Sequence, residues 1–344
     1  MPLLRADDPQ ALEHAARLLA AGALLAFPTE TVYGLGARAD ADAAVAKIFA
    51  AKGRPADHPL IVHVTDAAAA QPFAAHWPPA AQVLAQHFWP GPMTLIVPRR
   101  PGVAAAAAGG HPSIGLRSPD HPLAQALLAR AQALGVLGVA GPSANRFGRV
   151  SPTTADHVAD EFGPDLAVLD GGACREGIES TIVDCTRDHP ALLRPGTTPR
   201  ARIDAVLGQA LGLRLVERDD AAPRAPGTLA SHYAPEALVR LLGTQELRQR
   251  LREAPPDGLK DGAQGPRCGG VGVYSRTGMS LSLPLGRQVL HRTMPADPAQ
   301  AAHELFAVLR ALDGQGVSQI WVEAPPEGPE WDGVRDRLMR AATR

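Results

Sequence analysis

Short apolar runs alternate with segments of helical periodicity, and this alternation constrains the fold more than any other feature of the sequence. The runs at 23–27, 60–64 and 93–97 have the length of buried strands, and each leads into a polar or proline-containing stretch. Helix-like segments such as 43–51 and 122–134 separate some runs, whereas other runs follow each other too closely for a helical crossover. The pattern predicts a mixed, twisted α/β sheet.

A second, smaller α/β unit is predicted after a break in this pattern. The stretch 217–231, ERDDAAPRAPGTLAS, is polar and rich in proline, as linkers are. Beyond it, strands are predicted at 237–242, 271–274 and 319–322, with helices between them. Their spacing is typical of a small parallel sheet.

Composition excludes several classes of protein. The chain has 344 residues, 45% hydrophobic and 20% charged, which is typical of a soluble protein with two domains. Since 34 Lys and Arg nearly balance 35 Asp and Glu, tight non-specific binding to nucleic acid is not expected, although weak RNA contact stays open. Three cysteines without C-x-x-C spacing argue against a disulfide framework or structural zinc. No signal peptide or membrane-spanning run is evident, so a cytoplasmic location is expected.

Polar motifs follow the predicted strands, whereas the common catalytic signatures are missing. The sequence contains no G-x-x-x-x-G-K-[ST] phosphate loop, no H-E-x-x-H and no G-x-S-x-G. Polar groups suited to a ligand occur at 28–36 (PTETVYGLG), 52–55 (KGRP), 141–145 (GPSAN), 179–181 (EST) and 194–196 (RPG). Taken singly, each also fits a capped turn or a solvated helix end. Because ligands of α/β sheets gather at strand ends, their joint occurrence predicts a binding site.

The order of motifs resembles the long, two-domain form of the YrdC-like threonylcarbamoyl-AMP synthases. The motifs are FPTETVYGLG, AKGRPADHPLIVHV, FWPGPMTLIV, IGLRSPDHPL, GPSANRFGRVSPT, GIESTIVD, LRPG and, in the linker, PGTLASHYAP. The resemblance is continuous from about residue 18 to 210 and weaker in the C-terminal part. It implies a YrdC-like catalytic domain at 1–212, a flexible linker or lid over the active site at 213–235, and a Rossmann-like domain at 236–344.

The resemblance implies an activity. It is the synthesis of L-threonylcarbamoyladenylate from L-threonine, bicarbonate or CO2, and ATP, with release of pyrophosphate. Such a nucleotidyltransferase catalyses the first step of tRNA threonylcarbamoyladenosine modification, and a separate transferase complex then passes the group to tRNA. Mg2+ is expected to accompany ATP, and no metal site formed by protein ligands is expected.

The family's binding residues carry over position by position. Its threonine contacts fall on Thr31, His63, Arg117, Gly141 and Ser180, with Arg117 as partner of the threonine carboxylate. Its ATP contacts fall on Lys52, Arg54, His58, Ser113, Ser143, Asn145, Ser151, Arg194 and Tyr233. Catalysis is assigned to the Lys-x-Arg and Ser-x-Asn set, which is Lys52, Arg54, Ser143 and Asn145. Two positions depart from the family: Phe147 replaces a small hydroxyl residue and Thr228 replaces methionine, while Gly141 offers only its backbone.

The residue types fit this chemistry. Attack of a carbamate oxygen on the α-phosphate needs no covalent enzyme nucleophile, in agreement with the absence of a nucleophile motif. It needs alignment of the substrates and positive charge for the pyrophosphate, which Lys52, Arg54, Arg194 and Mg2+ can supply. Because the carbamate decomposes in water, a closing lid is expected, with His232 and Tyr233 on the linker.

Two other interpretations stay open at this point. A carbamoyltransferase of the hydrogenase-maturation type uses a related domain but also carries zinc-finger segments, for which this chain lacks the cysteines. A double-stranded RNA-binding or ribosome-maturation module without catalysis would use a basic face, to which Arg99, Arg100, Arg146 and Arg149 could contribute. Steep salt dependence of RNA binding without ATP turnover would favour that module.

Overall fold

A computed structural model describes residues 3–5, 7–8, 10–219, 222–227, 232–253, 270–276 and 289–343. The chain divides into two compact units, the first formed by residues 1–147 and 151–228 and the second by 148–150 and 229–344. The predicted boundaries at 212 and 235 stay predictions. Thr228, one of the two departures from the family pattern, lies outside the described residues.

Within the described residues, the first unit contains a ten-stranded sheet. Its strands are β1 Leu3–Arg5, β2 Leu25–Phe27, β3 Gly34–Arg38, β4 Ile61–His63, β5 Met93–Pro98, β6 Ser113–Arg117, β7 Val139–Ala140, β8 Ala167–Asp170, β9 Thr181–Asp184 and β10 Ala191–Arg194. Its helices are α1 Ala11–Ala20, α2 Asp42–Lys52, α3 Ala67–Ala70, α4 Pro79–Phe88, α5 Pro122–Ala133, α6 Ala155–Phe162 and α7 Arg200–Leu211.

The sheet is mixed, which confirms the predicted fold class. The strand order is β1-β8-β2-β3-β7-β4-β6-β5-β9-β10. Parallel pairs such as β4 with β6 and β5 with β9 alternate with antiparallel pairs such as β5 with β6. Neighbouring residues of β2 belong to different hydrophobic clusters, Ala26 to one and Leu25 and Phe27 to the other. Because successive side chains of a strand point to opposite faces, apolar clusters cover both faces of the sheet.

Strand β3 is not among the strands that the apolar runs predict, and it begins within the motif 28–36, which by itself also fits a capped turn. An added Cβ at Gly34 would lie 2.9 Å from Phe27 Cε1, and one at Gly36 would lie 3.0 Å from Val139 Cγ1. Glycine therefore allows β3 to lie between β2 and β7 with the large side chain of Phe27 against it. Glycine also has a low strand propensity. Gly34 and Gly36, which make this pairing sterically possible, are therefore the reason that the sequence pattern does not indicate a strand here.

The second unit contains a four-stranded parallel sheet within the described residues, in agreement with the predicted Rossmann-like domain. The elements are β11 Leu238–Leu242, α8 Thr244–Glu253, β12 Val271–Ser275, β13 Val289–Thr293, α9 Pro298–Gly314, β14 Gln319–Glu323 and α10 Asp332–Ala342. The strand order is β11-β14-β12-β13. Across both units, the described helices include none that is long and apolar enough to cross a membrane.

Candidate active site

Arg117 lies at the carboxyl end of β6 and is 3% exposed. Its Nη2 donates a 2.9 Å hydrogen bond to Thr31 Oγ1 and lies 2.8 Å from Glu30 Oε2, and both partners belong to the loop after β2. Its Nε donates to the carbonyl oxygen of Gly91 at 3.4 Å. No group in the described part of the chain accepts a hydrogen bond from Nη1. This edge of the guanidinium can therefore bind a carboxylate.

Thr29 fixes the loop that carries Glu30 and Thr31. Its hydroxyl donates to the carbonyl oxygen of Val32 at 2.7 Å and accepts from the backbone N–H of Thr31 at 3.2 Å. The Thr31 hydroxyl is consequently the donor in the 2.9 Å contact between the two threonine hydroxyls. It can still accept the hydrogen bond from Arg117, so its orientation is determined by both neighbours.

His63 lies directly beside Arg117, because β4 and β6 pair in parallel with these residues opposite each other. Burial, and then the charge of Arg117, lowers the His63 pKa to about 3, so the ring is neutral. Its Nδ1 has no hydrogen-bond partner among the described residues. The backbone of Gly141 approaches this ring so closely that an added Cβ would lie 3.1 Å from Nδ1. Gly141 therefore brings its backbone close to the His63 ring, which a residue with a side chain could not do without a shift.

Ser180 precedes β9 and is fully buried. Its hydroxyl lies 2.8 Å from Thr94 Oγ1 on β5. Thr94 is next to Leu95, which pairs with Leu116, the residue before Arg117. The sheet thus brings Ser180 to the same edge as Arg117 and His63, although 63 residues separate Ser180 from Arg117 in the sequence.

Arg194 at the end of β10 is held by several hydrogen bonds to the protein. Its Nε and Nη2 donate to the Ser180 carbonyl oxygen at 3.0 and 2.9 Å, and Nη2 donates to the Ser180 hydroxyl at 3.1 Å. Its Nη1 donates to the carbonyl oxygen of Pro226 at 3.0 Å. Arg194 therefore positions Ser180 in this structure and adds a buried positive charge beside it.

Lys52 is the last residue of α2, and Gly53, with a φ of 64°, ends the helix. The Lys52 Nζ donates to the carbonyl oxygen of Ser143 at 2.6 Å and to that of Asn145. No described residue accepts its third proton. Burial, and then the charge of Arg54, lowers the pKa of this ammonium. A buried ammonium with one remaining donor suits a phosphate oxygen.

Arg54 and His58 lie around the ring of Phe147. The Arg54 guanidinium is 6.0 Å from the centre of that ring and donates to the carbonyl oxygen of Pro59 at 2.8 Å. The His58 ring is 5.6 Å from it, and burial, followed by the charge of Arg54, lowers the His58 pKa. Phe147, where the resemblance implies a departure from the family pattern, thus contacts two predicted ATP-binding side chains.

Three further predicted ATP contacts lie on neighbouring loops of the first unit. Ser143 forms an isolated β-bridge with Gly34, and Asn145 Nδ2 donates to the carbonyl oxygen of Arg146 at 2.7 Å. The buried Ser151 hydroxyl donates to the carboxylate of Glu179. The loop at 141–145 therefore connects Lys52 with the β3 side of the sheet.

The two remaining predicted ATP contacts, Ser113 and Tyr233, belong to other elements of the structure. Ser113 is the first residue of β6 and lies at the opposite end of the strand from Arg117. Tyr233 belongs to the second unit, where its ring stacks on Phe306 at 5.5 Å and lies 4.2 Å from the His232 ring. The lid role of His232 and Tyr233 stays a prediction.

The buried polar residues of this region that are absent from the predicted contacts include Glu30, Thr94 and Glu179. Glu30 and Glu179 stand next to predicted contacts in PTET and EST, and the resemblance assigns the contacts there to Thr31 and Ser180. Thr94 interrupts the apolar run MTLIV, and a single hydroxyl in a buried strand needs a partner. That interruption is the signal by which Thr94 could have been found.

Gly196 packs directly against the backbone that carries Ser180. An added Cβ would lie 2.4 Å from the Thr181 nitrogen and 2.8 Å from the Ser180 carbonyl carbon. We expect Gly196→Ala to displace this backbone and to lower the free energy of unfolding by about 1–3 kcal/mol, as overpacking does. Gly208→Ala on α7 is the matched control, since its nearest atom is 3.8 Å away, and it should stabilise by at most about 1 kcal/mol. Urea denaturation measures both variants, and equal stabilities would contradict the prediction.

The arginines considered for RNA binding are engaged with the protein. In the first unit, Arg99 donates to the carbonyl oxygens of His111 and Val103 at 2.9 Å, and the Arg146 guanidinium lies 5.3 Å from the Phe162 ring. In the second unit, Arg149 forms an ion pair with Glu236 at 3.1 Å. The ion pair partly neutralises Arg149, while the contacts of Arg99 and Arg146 occupy or cover groups that could otherwise bind a phosphate.

Two family models match the chain. The first, described as "Telomere recombination", matches residues 17–196, and the second, described as "Threonylcarbamoyl-AMP synthase, C-terminal domain", matches residues 198–343. Together they cover both units of the structure.

The chain is also similar to individual proteins along nearly its full length. It is 38% identical to the threonylcarbamoyl-AMP synthase of Bacillus subtilis, over 98% of this chain and 94% of that protein. It is 37% identical to the threonylcarbamoyl-AMP synthase of Pyrococcus abyssi, over 95% and 93%. The solved structure of P. abyssi Sua5 complexed with L-threonine matches with a TM-score of 0.82 at 33% identity and covers 99% of this chain and 97% of that chain.

Proposed function

The chain belongs to the threonylcarbamoyl-AMP synthase family, and on that premise we propose how the residues of its first unit perform the reaction. The protein is a nucleotidyltransferase that makes L-threonylcarbamoyladenylate from L-threonine, bicarbonate and ATP and releases pyrophosphate. The observation that carries the mechanism is the buried Arg117 guanidinium, whose Nη1 is left for a carboxylate.

Threonine binds with its carboxylate on Nη1 of Arg117 in this proposal. Thr31, His63, Gly141 and Ser180 surround the same edge of the sheet, and they supply hydroxyl, ring nitrogen and backbone groups for the rest of the amino acid. The neutral His63 ring can accept a hydrogen bond at Nδ1, whereas a charged imidazolium would repel Arg117.

ATP binds with its phosphates near Lys52 in this proposal. The third Lys52 proton and the Arg54 guanidinium neutralise the charge that develops on the departing pyrophosphate. Ser143 and Asn145 hold the Lys52 ammonium through their carbonyl oxygens, so they position the cation before substrate arrives. We assign the remaining ATP contacts to His58, Ser113, Ser151, Arg194 and Tyr233, as the family pattern implies.

We propose that Mg2+ enters as the ATP complex. The described residues include no group of three or more His, Cys, Asp or Glu side chains that could hold a metal ion. Mg2+ commonly keeps several waters and binds through substrate phosphates, which supports its entry together with ATP. The ion supplies further positive charge to the phosphates when it is bound.

The product requires a partner that consumes it. An acyl adenylate is a reactive mixed anhydride, and we propose that a separate tRNA threonylcarbamoyl-transferase complex takes it up. Since both ATP and tRNA are cytoplasmic, we also propose that location for the enzyme. We propose that any RNA contact by this chain is weak. Its net charge is close to zero, and arginines considered for RNA binding already contact other groups of the protein.

Pyrophosphate release by the purified protein with Mg2+ and ATP tests the function. We expect release only when threonine and bicarbonate are both present, because the carbamate is the nucleophile that attacks ATP. Omission of either substrate should reduce the rate to that of a reaction without enzyme. Release that needs neither substrate would contradict the proposal, and so would RNA binding of steep salt dependence with no release under any condition.

A further inference from the structure

Glu30 is a buried carboxylate at the threonine edge of the site with unused hydrogen-bonding capacity. Its exposed fraction is 1%, and neither Oε1 nor Oε2 accepts a hydrogen bond from the described residues. Oε2 lies 2.8 Å from Arg117 Nη2 as an ion pair without hydrogen-bond geometry. A buried carboxylate commonly accepts several hydrogen bonds, so Glu30 lacks the donors that its burial demands.

The surroundings of Glu30 hold a constant charge above about pH 7.5. Arg117 from β6, His121 at the start of α5 and Cys174 after β8 face it. Burial lowers the pKa of His121, and burial raises that of Cys174 to about 12. Both groups are therefore neutral in this range, while Arg117 stays charged.

Threonine brings the missing donor. When its carboxylate binds Nη1, the amino group on the adjacent carbon can reach the Glu30 carboxylate, which lies beside Nη2 of the same guanidinium. Free threonine is a zwitterion whose ammonium carries three N–H donors but has no lone pair to attack carbon. Transfer of one proton from the ammonium to Glu30 creates no net charge in the buried site, so desolvation does not oppose it.

We propose that Glu30 is the catalytic base that takes a proton from the threonine ammonium, an inference that rests on the proposed function. The N–H bond breaks, its electron pair stays on nitrogen, and the proton moves to the carboxylate. The nitrogen then forms a bond to the bicarbonate carbon. The bond from that carbon to its hydroxyl breaks, and the hydroxyl leaves as water with a second proton from nitrogen. Glu30 returns its proton to solvent after the product leaves.

Glu30→Gln tests this role through the pH dependence of threonine-dependent pyrophosphate release. At pH 7.5 we expect kcat to fall about 100- to 10,000-fold, the usual contribution of a general base. Below the pKa of the threonine ammonium the variant rate should rise about tenfold per pH unit, because it depends on the scarce neutral amine. The wild-type rate should stay nearly flat over this range. A loss with the same pH dependence as wild type would indicate that Glu30 only holds Arg117 and would overturn the proposal.

Controls separate this proposal from its premise. Glu176→Gln changes a carboxylate of the neighbouring loop that pairs with Arg175 at 3.3 Å, and it should keep wild-type kcat. Glu30→Asp replaces the glutamine variant in this test if the latter does not fold. We expect its kcat to fall at least about tenfold while its rate stays nearly independent of pH, as in wild type. An unchanged rate would overturn the proposal. Inactive wild-type enzyme would refute the proposed function, whereas active wild type with an equally active Glu30→Gln would refute only the base.

Discussion

Replacing Arg117 by alanine is expected to raise the KM for threonine at least about 100-fold and to lower the free energy of unfolding by about 3–5 kcal/mol. The affinity falls because the carboxylate loses a buried charged donor. The stability falls because the Glu30 carboxylate, 2.8 Å away, is left as an uncompensated buried charge. Steady-state kinetics and urea denaturation measure the two effects separately.

A double variant distinguishes the two causes. Arg117→Met combined with Glu30→Gln removes both charges, so most of the lost stability should return while threonine affinity stays low. Arg175→Ala is the control, since this arginine is 61% exposed and its ion pair with Asp120 should contribute at most about 1 kcal/mol. A double variant as unstable as Arg117→Ala would contradict the ion-pair explanation, and an unchanged KM would contradict the carboxylate contact.

Lys52→Met is expected to lower kcat for pyrophosphate release by about 100- to 1,000-fold, the range observed when one donor to developing charge is removed. The matched control is Lys47→Met on the same helix, because the Lys47 ammonium donates to the Gly22 carbonyl oxygen at an exposed position. Its kcat should stay within about twofold of wild type. Similar losses in both variants would contradict a specific role for Lys52.

The lowered pKa of Lys52 also predicts that the free energy of unfolding depends on pH. Its pKa is lower in the folded state than in the unfolded state, so unfolding binds a proton in the interval between the two values. Stability from this group therefore increases as pH rises toward the ordinary lysine pKa. In urea denaturation, wild type should gain stability relative to Lys52→Met as the pH rises through that interval, and a parallel pH dependence of the two proteins would exclude this contribution.

Strand ends were the predictable part of the site. Polar motifs after apolar runs indicated Thr31 and Arg117, and the structure brings these two residues into hydrogen-bond contact across 86 positions of sequence. The mixed sheet was also predictable, because the spacing of the apolar runs left no room for a helix at every crossover.

Details that depend on sheet register could not be predicted. The contact between Glu30 and Arg117 requires β2 and β6 to be placed in the same sheet, which no local pattern determines. The hydrogen bonds from Lys52 to two carbonyl oxygens depend on how α2 packs against the loop at 141–145. β3 was missed because its glycines, which pack against Phe27, resemble turn residues.

The strand order has a consequence for synthesis on the ribosome. β1 and β2 pair with β8, and β5 pairs with β9, so early strands await partners translated more than eighty residues later. A nascent chain that ends before residue 181 lacks β9 and exposes the β5 edge to pairing with other chains. Threonine binding therefore becomes possible only late in translation, and we expect prematurely terminated chains to aggregate more readily than the full-length protein.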